Sequence, residues 1–360
     1  MVPGKVGNAF KMFETLNARG MEASKTDLLK NYLFGLAQDR ISDVHTRWIS
    51  MLTMIEGAGE DELLVKFVRH YWIAQHGPTT DRDLGDAIER VVRTERQAVD
   101  MVSALDTYAA DYVALLSPRD NPRWNDYSRA ARDAIYTVTK ELGGEQIRPL
   151  MLAVARTFPI PEAEKAFQAM VSWTVRFLIA GGGGGGVMDR SYGVRAREVT
   201  QGTIKTAKQL SEGMAQVVPS DTLFEKAFAA ASVRKTNLAR YYLRSLELHA
   251  KGEKNPQFVP SDDTTAVNLE HILPVNPSSD WGIPQEIVDV YHKRLGNMAL
   301  LSAKQNVAIG NGTFEQKKDV LAASPFVLTS DCALMADWGP EAIDERQANL
   351  AKMALKVWPL

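Results

Sequence analysis

The chain has 360 residues, 45% of them hydrophobic and 24% charged, with a net charge of −2 and one cysteine, Cys332. These values suit a soluble globular protein with room for two domains, and they exclude an internal disulfide framework or a Cys-rich zinc cluster. No apolar run reaches the ~18 residues of a transmembrane helix. The start, MVPGKVGNAF, lacks the charged and apolar regions of a signal peptide, so a cytoplasmic setting is expected.

In chain order, the sequence reads mostly as helix. AFKMFETL (9–16) has apolar residues at helical spacing and NARG (17–20) stops it. Ser24 is a candidate N-cap for the next helix, with Asp27 as an acid in its first turn. VHTRWISMLTMI (44–55) and DELLVKFVRHYWIAQ (61–75) are amphipathic helices, in which His70 is expected beside aromatics. Residues 83–116 predict one long helix or two broken ones, and helices follow around 124–141, 145–157 and 161–180. Trp48 and Trp173 fall at core positions. Gly181–Gly186 reads as a loop or hinge, because it lacks the GK[ST] ending of a phosphate-binding loop and no strand precedes it.

Helices resume over 197–217 and 221–250. After Gly252 the pattern changes to Pro-, Asp- and Ser-rich sequence with short apolar pieces. VNLEHI (267–272) and MALLS (298–302) predict short strands, AKQNVAIGNG (303–312) a loop, and PEAIDERQANLAKMALKVW (340–358) a final helix. The fold class expected is mainly α, a helical bundle followed by a C-terminal domain with a small β component. The expected segments are 1–35, 36–220 and 221–360.

The stretch NLEHILPVNP (268–277) sets Glu270 beside His271, with Asn297 and Asn306 further on, in RLGN and AKQN. A histidine near a strand end, an asparagine in the following turn and a polar residue entering a helix is the order of an HNH, or ββα-metal, nuclease. The residue types suit that chemistry. Phosphodiester cleavage needs an activated water, and neutral imidazole is a good base near pH 7. A divalent ion neutralises phosphate and leaving oxygen, and a hard ion such as Mg²⁺, or Mn²⁺ in its place, takes carboxylate and amide oxygens. Asn297 suits a different job, pinning the loop that orients the base. Taken alone, His271 is more often structural than catalytic, and His292 reads as a helix-surface residue. The near-neutral total charge requires any DNA-facing surface to be local.

LEHILP followed by LGNMALLSAKQNVAIGNGTFEQKK resembles the HNH nuclease module of GmrSD-type restriction endonucleases. AFKMFETLNARGMEASKTDLLKNYLF resembles the end of that family's N-terminal module. The resemblance implies a metal-dependent DNA endonuclease of prokaryotic restriction or phage defence, leaving a 5′-phosphate and a 3′-hydroxyl. It implies His271 as general base, Glu270 and Asn306 as ligands of one Mg²⁺ or Mn²⁺, and Asn297 as the central asparagine. Lys317 and Lys318 are implied near phosphate. The basic segment 232–255, with Arg240 and Arg244, either tracks a phosphate backbone or is a solvated face, and Tyr241 and Tyr242 either interleave with it or belong to the core.

Family members also carry a nucleotide-dependent module with an Asp-Gly-Gln-Arg type motif, which GGEQIR (143–148) matches only superficially. Besides DNA, a separate chain supplying that module is therefore an expected partner. The alternative is a truncated, non-catalytic subunit that binds DNA or a partner on the same scaffold.

Overall fold

A computed structural model describes residues 25–58, 63–181, 185–258, 267–310 and 312–360. The helix expected at 9–16, the NARG turn, the Ser24 cap and Gly182–Gly184 lie outside the described residues. The fold is mainly helical, and the described residues hold a single two-stranded sheet. No helix among them is long and apolar enough to cross a membrane.

The contacts divide the chain into two compact units that interleave along the sequence. The first comprises 1–125, 146–159 and 189–206, and the second 126–145, 160–188 and 207–360. In the first unit, α1 (Lys25–Ala37), α2 (Ile41–Glu56) and α3 (Leu63–His76) precede α4 (Leu84–Val91) and α5 (Glu95–Leu116). The stretch 83–116 is therefore two helices. The break falls where Thr94 and Gln97 form a reciprocal capping box, which starts α5 afresh. Later come α6 (Arg129–Tyr136), which belongs to the second unit, and α7 (Arg148–Thr157), which belongs to the first.

Helix α5 packs against α1, α2 and α7. Its Asp111 is buried and ion-paired with Arg123 at 2.6 Å and with Arg156. His70 is fully buried, with Nδ1 2.8 Å from the Tyr112 hydroxyl. Burial drives its pKa well below the ordinary imidazole value, so this histidine is a neutral part of the core.

The next helices are α8 (Ile160–Ala180), α9 (Gly185–Thr200), α10 (Ala207–Met214), α11 (Asp221–Phe228) and α12 (Thr236–Ala250). Helix α9 begins within the glycine run, well before the expected start at 197. The second unit packs α8 on α6, α10 and α11. Trp48 in the first unit and Trp173 in the second are both core residues.

Strand β1 (Asn268–His271) follows, then α13 (Gln285–Tyr291), β2 (Met298–Leu301), α14 (Ala303–Ile309), α15 (Phe314–Ala322), the single turn α16 (Val327–Ser330) and α17 (Pro340–Val357). The strands pair antiparallel, from Asn268↔Leu301 to His271↔Met298. Helix α17 packs on α11 and α12. Trp358, just beyond it, stacks with Phe228 and meets Tyr241 and Tyr242 edgewise or tilted. Both tyrosines are buried, which resolves their role in favour of core.

One buried cation ties this core together. Arg176 on α8 donates to the Trp358 carbonyl at 2.8 Å, the Pro219 carbonyl at 2.9 Å and Asp221 at 2.6 Å, with its guanidinium over the Phe224 ring. Arg176→Met fills the space but leaves two carbonyls without their donor. It should lower unfolding stability by roughly 3 kcal/mol, read as an earlier urea midpoint. An unchanged midpoint would remove Arg176 from this account.

Candidate active site

The apolar, fully buried strand β2 seats the two-stranded sheet in the core, and the more polar β1 pairs along it half-buried. Ala299 and Leu301 join a core with Ile272, Leu273, Val288, Ile309, Phe314, Leu321, Trp338 and Ile343. Glu270 and His271 end β1, opposite Ala299 and Met298. Neighbours on a strand point to opposite faces, and the two residues have different surroundings. Glu270 reaches Lys317 on α15, whereas the His271 ring lies 6.5 Å from that of His292.

Just past β1 the backbone is held by Asn297. Its Oδ1 accepts from the Leu273 N–H at 2.8 Å and from Trp338 Nε1 at 3.0 Å. Its Nδ2 donates to the Leu273 carbonyl at 2.9 Å and the His292 carbonyl at 3.2 Å. Its backbone carbonyl also accepts from the Ile272 N–H at 3.0 Å. The amide is fully buried, and both its donors and its acceptor are used.

The turn carrying Asn297 (Leu295–Asn297) is seated on α17. Arg346 donates at 2.7 Å to the carbonyls of Gly296 and Met298, and Gln347 accepts from the Gly296 N–H at 3.0 Å. A Cβ on Gly296 would come within 2.9 Å of Gln347 Cβ and would meet the Ile343 carbonyl, so only glycine allows this approach.

Asn306 lies on α14, a helix where a loop was expected. A capping box of Ser302 and Gln305 starts that helix, and the helix packs on both strands. Asn306 Oδ1 is buried and has no hydrogen-bond partner among the described residues. His292, expected on a helix surface, is instead buried, with Nδ1 2.9 Å from the Val288 carbonyl.

Two lysines were expected near phosphate. Lys317 is fully buried, with Nζ 2.6 Å from Glu270 Oε1 and 3.2 Å from the His271 carbonyl, so it is withdrawn from any surface phosphate. Lys318 is half-buried, close to Glu315, the Ala336 carbonyl and the Phe314 ring. Arg240 and Arg244 are half-buried on α12, which packs against both strands.

Burial raises the Glu270 pKa, and the Lys317 hydrogen bond and charge oppose that rise. Burial lowers the His271 pKa, with His292, Lys317 and Lys293 adding in the same direction. A depressed pKa leaves the imidazole neutral at physiological pH, the form that accepts a proton.

Among the described residues no three His, Cys, Asp or Glu side chains cluster as a metal site. The candidate oxygen donors are of another kind: a carboxylate, Glu270, and an amide oxygen, Asn306. A buried amide oxygen without a partner costs about 1–3 kcal/mol, and a hard cation satisfies such an oxygen. In chemical type, a carboxylate and an amide oxygen are donors that a Mg²⁺-type ion takes. Sequence reasoning missed Trp338, His292 and the buried state of Lys317, because all three depend on tertiary contacts.

Residues 218–353 match the family described as GmrSD restriction endonucleases, C-terminal domain. No curated protein matches the chain.

Asn297→Ala leaves four polar groups without their partner and should cost roughly 3 kcal/mol of stability. Asn297→Asp should cost at least as much near neutral pH, since it loses both donors and turns a carboxylate toward two carbonyls. Urea unfolding checks both. A well-tolerated aspartate would mean that the donated bonds matter little.

Proposed function

We propose, from the match of residues 218–353 to the GmrSD restriction endonuclease C-terminal domain, that this chain is a metal-dependent DNA endonuclease of the HNH type, acting in prokaryotic restriction or phage defence. The observation that carries the reading is the hairpin end. It carries Glu270 and His271 on opposite faces, with the backbone just beyond them held by Asn297, and α14, which packs on both strands, carries Asn306, whose buried Oδ1 has no hydrogen-bond partner among the described residues.

His271 is the general base in this reading. It takes a proton from water as the water oxygen bonds to phosphorus and the bond to the 3′ oxygen breaks, leaving a 5′-phosphate and a 3′-hydroxyl. Its lowered pKa keeps the base form available at neutral pH. Asn297 acts on the backbone just past His271, which keeps the ring aimed at one place. Glu270 and Asn306 would hold a divalent ion, Mg²⁺ or Mn²⁺, which supplies neutralising charge to the phosphate and the leaving oxygen. In-line displacement wants base and leaving group on opposite sides of the phosphorus. Consecutive residues facing opposite ways from one strand suit that demand.

Plasmid cleavage with Mg²⁺ or Mn²⁺, on modified and unmodified DNA, tests the reading. Cleavage should vanish with EDTA and fall by at least about a thousandfold in His271→Ala, the order expected for loss of a general base together with its positioning. The rate should rise with pH as His271 loses its proton, with a midpoint below the ordinary imidazole value, and then level off. Metal-dependent cleavage that persists in pure His271→Ala would contradict the assignment.

A further inference from the structure

Lys317 has no role in the scheme above, yet it touches two of its residues. It sits on α15, which starts with a capping box of Thr313 and Gln316. From there its ammonium meets the Glu270 carboxylate at 2.6 Å and the His271 carbonyl at 3.2 Å. One buried charge thus spans the side chain of one candidate residue and the backbone of the next. Stability alone explains this poorly. Desolvating a lysine and fixing its long stem are costly, and a buried ion pair is often no better than an apolar pair of the same volume. A phosphate contact does not explain it either, since the side chain is 0% exposed.

We propose that Lys317 is a positioning residue: its ammonium clamps Glu270 Oε1 and the end of β1, so that the carboxylate is offered to a divalent cation in one fixed orientation. The proposal rests on the nuclease reading above. The rival physical reading has the opposite sign. An ammonium and a metal ion on one carboxylate repel each other, so a lysine that served only as counter-charge would weaken metal binding, and its removal would tighten it.

Mn²⁺ binding to the full chain, followed by the electron paramagnetic resonance of free Mn²⁺, separates these readings without reference to activity. The unmutated chain should bind Mn²⁺ and Glu270→Gln should lose it. Lys317→Met and Lys317→Gln should bind about tenfold more weakly or worse, the usual scale for a group that orients a ligand, and Lys317→Arg should recover part of the loss. Glutamine keeps a donor and guards against a methionine variant that does not fold, with circular dichroism reporting the fold. In cleavage, the neutral variants should need more metal to reach half of their maximal rate. A folded neutral variant with equal or tighter Mn²⁺ binding would overturn the role of Lys317 and leave Glu270 as a ligand. Loss of fold in both neutral variants would assign Lys317 to the fold alone and overturn the role as well. No Mn²⁺ binding by the unmutated chain, or binding that Glu270→Gln keeps, would overturn the nuclease reading and this role with it.

Discussion

The candidate site depends on one buried side-chain amide. Asn297 ties the backbone just past β1 to the segment after α13 and to Trp338. Those segments also share one hydrophobic core, through Leu273, Val288 and Trp338, and the amide fixes their polar backbone within it. A half-satisfied buried amide would be a liability, and this one uses both donors and both lone pairs. Its own turn is fixed in turn by α17, through Arg346, Gln347 and the close approach that Gly296 permits. The last long helix of the chain therefore sets the place of residues some fifty positions earlier.

Around that anchor the electrostatics divide. On one side of β1, burial pushes Glu270 toward its neutral form and Lys317 pulls it back toward a carboxylate. On the other, burial and neighbouring positive charge keep His271 neutral. Burial dominates at both residues, so the net shift favours the neutral form of each, and at Glu270 the Lys317 ammonium offsets part of the rise. The proposed reading assigns proton removal to the neutral His271 and charge neutralisation to an ion that Glu270 would hold.

Much of the fold was legible in the sequence because apolar spacing reports directly on buried faces. The long helices, both strands and the final helix could be read in this way. Helix α14 was missed, because seven residues ending just before a glycine carry little periodicity. The Ser302–Gln305 pair was the local signal that could have revealed it. The interleaving of the two units was not legible, since contact between distant segments leaves no local pattern. At the site, the residue types were readable and their partners were not. Lys317 in FEQKK is implied near phosphate by the resemblance, and nothing nearby announces an acid 47 positions earlier that draws it inside. Trp338 gave no sign that its indole closes the hydrogen-bond set of an asparagine 41 positions away. His292 sits in a charged stretch, and only the packed helix shows it buried.

The most direct measurement is anomalous diffraction from crystals of the full chain grown with Mn²⁺. The account predicts a manganese peak within coordination distance of a Glu270 carboxylate oxygen and of Asn306 Oδ1, with Lys317 still in contact with Glu270. Manganese bound elsewhere, or no peak at this position while Asn306 Oδ1 is satisfied by a protein donor, would contradict the central claim that these residues form a metal-dependent nuclease centre.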